Sequence, residues 1–288
     1  MKLIKSLAEP STKSKAPPFM KHLSPDEFQE PEHTVNKPKA PSFIKAPAVE
    51  PEVQKYAPTI NGGLVKTWSP TGLFQFEECE YRVYLKRYKK IKEESGEAAE
   101  RGTKIHDLAE NYVNGSIEEL PAALKKFESR FELLKDDFEA GKVELEQDWG
   151  FTTQWEPTDV DYTDPGFWGI MKLDAFVRED NSSAIVIDHK TGRKFGNEYK
   201  HNRQGMMYAI GAFMRYPEVD FIRTEFWYLD KGEDLTNSYT RDQAMVLLPR
   251  VTDKLAKLTS CLDFEPKPSM QACKWCPHGK SGACEYGA

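Results

Sequence analysis

Two acidic residues and a lysine fall within a stretch that predicts a β-hairpin. The segments FWGIMKLDAFVR and SAIVIDHK are rich in Ile, Val and Phe, and the polar residues 179–183 between them are typical of a turn. If the hairpin is centred on Asn181, Asp174 lies opposite Asp188, with roughly 4.5–5.5 Å between their Cβ atoms. Lys190 follows Asp188 by two residues and therefore points to the same face. Two carboxylates and one ammonium group are expected to converge.

Such a group of side chains indicates phosphodiester hydrolysis. Two carboxylates are hard-oxygen ligands for Mg²⁺ or Mn²⁺, which keeps several waters and accepts substrate phosphate oxygens. The ion polarises the phosphoryl group and lowers the pKa of a bound water, while a lysine positions that water and stabilises the developing negative charge. The alternative is a solvated salt bridge between Asp188 and Lys190, which is common in strands. The opposed Asp174 favours the metal site.

The surrounding segments predict how the hairpin is packed. The alternate residues of its two arms form an opposite face that is apolar enough to be buried: Leu173, Ala175, Val177, Ile185 and Ile187. Residues 143–156 predict a strand ahead of the hairpin, on which Glu144 and Glu146 are weaker candidates for the metal site. Residues 198–216 predict a helix that stops before Pro217. A further helix is predicted to begin with Ser69 as its N-cap and Pro70 as its first residue, and to continue through Cys79.

The motifs resemble a known family. The pattern Gly169-Ile-x-x-x-Asp174 followed by Asp188-His-Lys190 is similar to the core of the PD-(D/E)XK nucleases in their RecB-like branch. The segment 102–106 is similar to the upstream G-x-x-x-H helix of that branch, and the segment 204–208 to its downstream Q-x-x-x-Y helix. Each motif alone is weak, but their order is specific. The resemblance extends from about Thr67 to Cys284 and leaves out the first sixty residues.

The resemblance implies roles for the residues at these positions. His106, Asp174, Asp188 and the backbone carbonyl of His189 would bind Mg²⁺ or Mn²⁺, and Lys190 would position the attacking water. Without the family, a lone helical histidine is more often a surface group or a satisfied core group.

The resemblance also implies substrate contacts beyond the hairpin. Gln204 and Tyr208 would hold the substrate strand, although Tyr208 as an ordinary core residue is a fair alternative. Arg193 and Lys194 form a basic loop after the hairpin that suits a phosphate, or an ordinary turn.

Four of the five cysteines form a further pattern. Cys273-x-x-Cys276-Pro with Cys284 nearby resembles the iron–sulfur end of the AddB and CRISPR-adaptation nucleases, in which a distant upstream cysteine completes a set of four. Cys79 is the upstream candidate, and Cys261 is left over. Thiolates suit a [4Fe–4S] cluster or structural Zn²⁺, for which His278 is a further candidate ligand; a disulfide or a set of free thiols would also account for the pattern. A metal there would join the N-terminal helix to the C-terminus by closing a long loop.

Composition separates two regions of the 288 residues. The first sixty contain ten of the nineteen prolines, with nine lysines and seven acidic residues. We expect residues 1–62 to be a disordered or extended arm that acts as a linker or docks a protein partner. Residues 63–288 would form the nuclease domain, with the cysteine cluster at 270–286. The total charge of −6 lacks the basic footprint of bulk nucleic-acid binding, so DNA would be bound by local basic patches and metal.

These observations predict an α/β fold, in which helices flank a central mixed sheet of four or more strands and residues 67–140 form a helical wall. The predicted function is a metal-dependent DNA exonuclease that acts on ends, on single strands or resected duplex, in recombination, repair or replication. The alternatives are a catalytically inactive member of the fold that binds DNA or a partner, and a cluster-bearing structural protein; endonuclease action, polarity and RNA as substrate stay open. The sequence has no run of eighteen apolar residues and no secretory signal, and with its five cysteines this predicts a reducing cytoplasm. The resemblance implies that the cell is bacterial or phage-infected.

Overall fold

The computed structural model of the protein describes residues 62–93 and 96–287. The arm predicted for residues 1–62 lies outside the described residues, apart from Gly62, and its role stays a prediction. The helices are α1 (Pro70–Glu78), α2 (Glu80–Val83), α3 (Glu97–Val113), α4 (Glu128–Glu139), α5 (Glu198–Arg215), α6 (Arg241–Thr259), α7 (Met270–Trp275) and α8 (Pro277–Lys280). The strands are β1 (Val143–Phe151), β2 (Pro157–Thr158), β3 (Gly169–Arg178), β4 (Ser183–Lys190), β5 (Phe221–Tyr228) and β6 (Glu233–Thr240).

The strands form one mixed sheet in the order β2-β1-β3-β4-β5-β6. Strands β4 and β5 are parallel and are connected through α5, whereas every other neighbouring pair is antiparallel. The predicted α/β fold with a central mixed sheet is confirmed. Strand β6 was not predicted, because its sequence EDLTNSYT is polar and it lies at the edge of the sheet, where one side needs no apolar partner.

Helices cover both faces of the sheet. On one face, α1, α5 and α6 enclose a core that includes Trp68, Phe151 and Phe213. On the other face, α3 and α4 enclose a second core that includes Ile105 and Phe131. The segment before the sheet therefore contributes to both layers, and only part of it forms the single wall expected for residues 67–140. No helix among the described residues is long and apolar enough to cross a membrane.

The buried face of the hairpin changes partway along β3. Leu173 belongs to the first core and Ala175 to the second, although strict alternation predicts the same face for both. Glu146 lies across from Asp174 in the register of β1 and β3, and its backbone has a φ of 47°, in the left-handed region. One residue in that conformation interrupts the regular pleat. The expectation of one continuous apolar face was therefore wrong, and the two acids lie where the alternation changes.

The N-terminal helix begins as predicted but ends early. Ser69 caps α1, because its Oγ accepts a hydrogen bond of 3.1 Å from the backbone N–H of Gly72, and Pro70 is the first helical residue. The sequence predicted that this helix would continue through Cys79. Instead, Cys79 is extended, with φ −158° and ψ 109°, and separates α1 from α2. A π-helical turn at Tyr84–Tyr88 follows.

Candidate active site

The hairpin is centred where the sequence predicted, but its regular pairing stops before Asp174 and Asp188. Residue pairs Arg178–Ala184 to Ala175–Ile187 centre the hairpin on Asn181. Regular pairing ends there, and Asp174 is the next residue on its strand. Its Oδ2 accepts a hydrogen bond of 2.5 Å from the backbone N–H of His189. The carboxylate of Asp174 is thereby held against the end of β4, one residue from Asp188.

Helix α3 supplies a histidine to this carboxylate. Ile105 and Ala109 anchor α3 in the second core, and the neighbouring His106 faces the sheet beside that core. The Nδ1 of His106 lies 3.0 Å from Oδ1 of Asp174. Burial lowers the pKa of His106, but the hydrogen bond and the charge of Asp174 outweigh it and the net pKa is raised. Burial likewise raises the pKa of Asp174, and the hydrogen bond from His106 together with the two neighbouring histidines brings it below its ordinary value.

Glu146 is a third potential ligand in the same place. His106, Glu146 and Asp174 each offer one donor atom, and these atoms all lie within 4.8 Å of one another. Burial and the nearby charge of Asp174 raise the pKa of Glu146 to about 7. The sequence ranked Glu146 only as a weaker candidate, together with Glu144. Glu144 is instead bound to the hydroxyl of Tyr216, at 2.9 and 3.1 Å. The cross-strand position of Glu146 against Asp174 was the signal that could have separated the two.

Asp188 is held by a separate set of contacts. Its Oδ2 accepts a hydrogen bond of 3.0 Å from Nε2 of Gln204 and lies 2.8 Å from the hydroxyl of Tyr208. That hydroxyl is also 2.9 Å from the backbone carbonyl of Lys172. The Nζ of Lys190 lies 2.5 Å from Oδ1 of Asp188. Burial raises the pKa of Asp188, and although Lys190 acts in the opposite direction, the net shift is upward.

These contacts show where the Gln204-x-x-x-Tyr208 motif lies relative to Asp188. Gln204 and Tyr208 lie one turn apart on α5, both are buried, and both face Asp188. Asp188 itself is not part of the close set formed by His106, Glu146 and Asp174, because its carboxylate is turned toward α5 and Lys190. The role of Gln204 and Tyr208 in holding substrate stays a prediction.

His189 is packed as a neutral core residue. Its ring centroid lies 5.2 Å from that of Phe131 and 5.5 Å from that of Trp227. Burial lowers its pKa to about 4. The side chain therefore fixes the end of β4 in the second core, and this leaves the backbone of His189 beside Asp174. The predicted use of its carbonyl as a metal ligand is a matter for experiment.

The donor set fits a hard divalent cation. Carboxylate oxygens are the preferred ligands of Mg²⁺ and Mn²⁺, and an imidazole nitrogen can complete such a set. The three donors of His106, Glu146 and Asp174 come from three different elements, α3, β1 and β3. The contact between His106 and Asp174 is direct and involves no lysine or arginine. The ammonium group of Lys190 is instead paired with Asp188.

The basic loop after β4 lies close to this group along the chain. Lys194 donates a hydrogen bond of 2.6 Å from Nζ to the backbone carbonyl of Asp234, and Arg193 is exposed. In the described part of the chain, neither residue forms an ion pair with a carboxylate. Both charges are thus available to a ligand.

The four cysteines of the predicted set line one pocket. Cys79 comes from the break between α1 and α2, and the others come from the C-terminal segment, at Cys273, Cys276 and Cys284. All are free thiols. Cys261 lies just after α6, where its Sγ contacts the carbonyl of Asp263 at 3.1 Å, and it does not line this pocket.

His278 is placed differently from the four cysteines. It is fully buried and does not line the pocket, and its Nε2 is 3.7 Å from a carboxylate oxygen of Glu93. Its predicted role as an alternative zinc ligand has no support from this position.

Several solved structures resemble the protein. A putative exonuclease from Eubacterium rectale is 13% identical, with a TM-score of 0.42, and the match covers 73% of this chain and 87% of that one. The alkaline exonuclease LHK-Exo from Laribacter hongkongensis is also 13% identical, with a TM-score of 0.26 and coverage of 67% and 88%. Similarity at this level concerns the fold and says nothing about substrate. Comparison with curated proteins finds no significant match.

A family model matches most of the described chain. The match spans residues 67–281 and therefore includes the sheet, the carboxylates of β3 and β4, and helix α5. It also includes Cys79 and two of the C-terminal cysteines, Cys273 and Cys276. The chain belongs to the PD-(D/E)XK nuclease superfamily.

Proposed function

We propose that the protein is a metal-dependent DNA nuclease, and that it acts as an exonuclease on DNA ends. The observation that carries the proposal is the close donor set of His106, Glu146 and Asp174, which is hydrogen-bonded through Asp174 to the backbone of His189, between Asp188 and Lys190. Preference for an end over an internal site is supported by the similarity of Gln204-x-x-x-Tyr208 to the motif of the RecB-like branch. A role in recombination, repair or replication in the cytoplasm rests on the same similarity.

His106, Asp174, Asp188 and the carbonyl of His189 would hold the cation, and we add Glu146 to this set because its carboxylate lies in the close group of donors. A bound Mg²⁺ or Mn²⁺ would polarise the phosphoryl group and lower the pKa of a water. The protein's part is to bring acids from separate elements to one point. Their mutual repulsion would be relieved by a divalent cation.

Lys190 would position the attacking water and stabilise negative charge on the phosphate. Its ammonium group is held between Oδ1 of Asp188 and the ring of Phe226, whose centroid lies 5.5 Å away. Gln204 and Tyr208 bind the other oxygen of Asp188, so they would keep that carboxylate turned toward Lys190. A fixed amine in a partly buried site stabilises developing charge without reorganisation.

The proposal is tested by cleavage of end-labelled single- and double-stranded DNA with Mn²⁺, Mg²⁺ or EDTA. We expect metal-dependent products that shorten from one end, and the position of the label gives the polarity. Lys190→Ala should abolish cleavage with the fold intact, whereas Lys142→Ala, which removes an exposed lysine at the start of β1, should leave it unchanged. DNA binding without cleavage under any metal would instead support a catalytically inactive binding protein, and products cut only internally would support an endonuclease.

We also propose that Cys79, Cys273, Cys276 and Cys284 bind a [4Fe–4S] cluster. Support comes from their convergence on one pocket from segments about 200 residues apart. The choice of iron over structural Zn²⁺ rests on the resemblance of Cys273-x-x-Cys276-Pro to the iron–sulfur end of the AddB and CRISPR-adaptation nucleases. Zinc in stoichiometric amount, with no iron, would overturn the choice of metal.

A further inference from the structure

The most exposed aromatic side chains of the described residues lie directly after the catalytic strand. Phe195 is 79% exposed and Tyr199 is 77% exposed. Phe195 lies in the loop between β4 and α5, and Tyr199 lies in the first turn of α5. Single apolar residues on a surface are ordinary. Two aromatic rings four residues apart, on the segment that begins at Lys190, are a localised patch.

Three cations that form no direct ion pair among the described residues lie on the same segment of the chain as these rings. Arg193, Lys194 and Lys200 belong to the same segment, and within the described residues none of them forms an ion pair with a carboxylate. Most other cations near the site are paired: Arg203 lies 2.6 Å from Glu77, for example. On a chain with a net charge of −6, three unpaired cations beside two exposed rings form a local anion-attracting surface.

One of the two rings, that of Tyr199, packs on a fixed side chain. The guanidinium of Arg203 lies 5.7 Å from the ring centroid of Tyr199 and 4.8 Å from that of Phe74, which is part of α1. Glu77 holds the same guanidinium. Tyr199 is thereby anchored to the body of the protein while most of its surface remains open to solvent.

The patch is also close to the proposed catalytic amine. His201, the residue after Lys200 on α5, stacks on Phe226 with 5.3 Å between the ring centroids, and Nζ of Lys190 lies 5.5 Å from the centroid of the same Phe226 ring. A strand whose phosphate lies at Lys190 would therefore pass the start of α5, where Lys200 lies.

We propose that Phe195, Tyr199, Arg193, Lys194 and Lys200 form a platform for single-stranded nucleic acid, on which bases beside the cleaved phosphate stack while the cations bind the backbone. Aromatic rings with interspersed cations bind single strands because every base has a stackable face. In a duplex those faces are covered by neighbouring bases. The platform would select unpaired strands over duplex, and as an account of substrate choice it rests on the nuclease function proposed above.

The test compares two strands that carry the same phosphates. Binding of oligothymidylate, of an abasic strand of equal length and of a duplex is measured by fluorescence anisotropy without divalent cations. We expect the wild-type protein to bind oligothymidylate about tenfold or more tightly than the abasic strand, and to bind the duplex more weakly than oligothymidylate. Phe195→Ala and Tyr199→Ala should each weaken oligothymidylate binding about tenfold and leave abasic binding nearly unchanged.

Matched variants separate stacking from charge and from general surface effects. Phe195→Trp should retain binding, and Leu133→Ala, on an equally open surface of α4 (61% exposed), should have no effect. Lys200→Gln should weaken both strands equally and reduce the slope of log affinity against log salt by about 0.7.

Two results would overturn the platform: equal binding of oligothymidylate and the abasic strand by the wild-type protein, or equal losses for both strands in the alanine variants. Binding is measured without a metal and therefore does not depend on cleavage. If the protein never cleaves DNA, the proposed nuclease function is refuted, while the binding measurements still decide whether the platform exists.

Discussion

Glu146 combines a strained backbone with a position in the proposed metal site. A non-glycine residue at φ 47° costs about 1–2 kcal/mol relative to right-handed geometry, since Cβ approaches the carbonyl oxygen. Such strain persists only where the surrounding structure imposes it. Here β1 and β3 hold their register on both sides, with Leu145 opposite Ala175 and Gln147 opposite Leu173. The strained residue is the one that directs a carboxylate toward Asp174 and His106.

A pair of substitutions at Glu146 separates strain from function. Both Glu146→Ala and Glu146→Gly remove the carboxylate, and both should reduce metal-dependent cleavage at least tenfold. Glycine adopts positive φ without a Cβ penalty, so the glycine variant should be more stable than the alanine variant by about 1 kcal/mol. Urea denaturation measures the difference. Equal stability of the two variants would show that the strain is absent.

Tyr208 tests whether the orientation of Asp188 matters. Tyr208→Phe removes a hydroxyl 2.8 Å from Oδ2 of Asp188, and loss of one hydrogen bond to a charged group is worth about 1.5–3 kcal/mol. We expect kcat to fall about 10- to 100-fold. Tyr216→Phe is the matched control, because its hydroxyl binds Glu144 outside the site. Similar losses in both variants would point to a general effect on stability.

Helix α5 carries residues of both the candidate active site and the proposed platform. It is the crossover between the parallel strands β4 and β5, so its N-terminal end follows Lys190 and its buried face returns along the sheet. Gln204 and Tyr208 on that face reach Asp188, while Tyr199 on the opposite face is open to solvent. One element thereby contacts the carboxylate of Asp188 and carries Tyr199 of the proposed platform.

His201 on this helix makes stability depend on pH. Its Nδ1 lies 2.6 Å from the hydroxyl of Tyr228, and burial lowers its pKa from 6.5 to about 4. Between these values the unfolded chain binds the extra proton and the folded protein does not, so stability falls as the pH falls. The loss should be about 2 kcal/mol between pH 7 and pH 5. Urea titrations of the wild type and His201→Gln should show a steeper dependence in the wild type; parallel curves would contradict the assignment.

At the scale of the whole molecule, the cysteine pocket joins the start of the described chain to its end. Cys79 lies ahead of the sheet, and Cys273, Cys276 and Cys284 follow the last long helix. A metal bound there would close a loop of nearly the full domain, and long loops gain most from such closure. The residues that line the pocket do not include the carboxylates of β3 and β4, so its expected role is structural.

Cys276→Ala should therefore lose the metal and lower the melting temperature by several degrees, with about 2–4 kcal/mol lost as for other long-loop cross-links. Anaerobically purified wild-type protein should be brown, and the variant should be paler. Cys261→Ala is the control and should keep both colour and stability, because Cys261 is outside the pocket. A variant of Cys276 with unchanged metal content would refute the proposed set.

The sequence by itself determined the hairpin register and the Ser69 cap, because each depends on neighbours a few residues apart. It also determined the family and the α/β class, because the order of several motifs along the chain is specific. Hairpin register follows from strand alternation around a short turn, which is why Asn181 could be identified as its centre. Only the tertiary structure decided the conformation of Glu146, the interruption at Cys79 and the polar edge strand β6. These depend on packing between distant elements, where the stability of the whole core outweighs local preference. The meeting of His106, Glu146 and Asp174 is of the same kind, since α3, β1 and β3 must first be assembled on one sheet before their side chains can share a ligand.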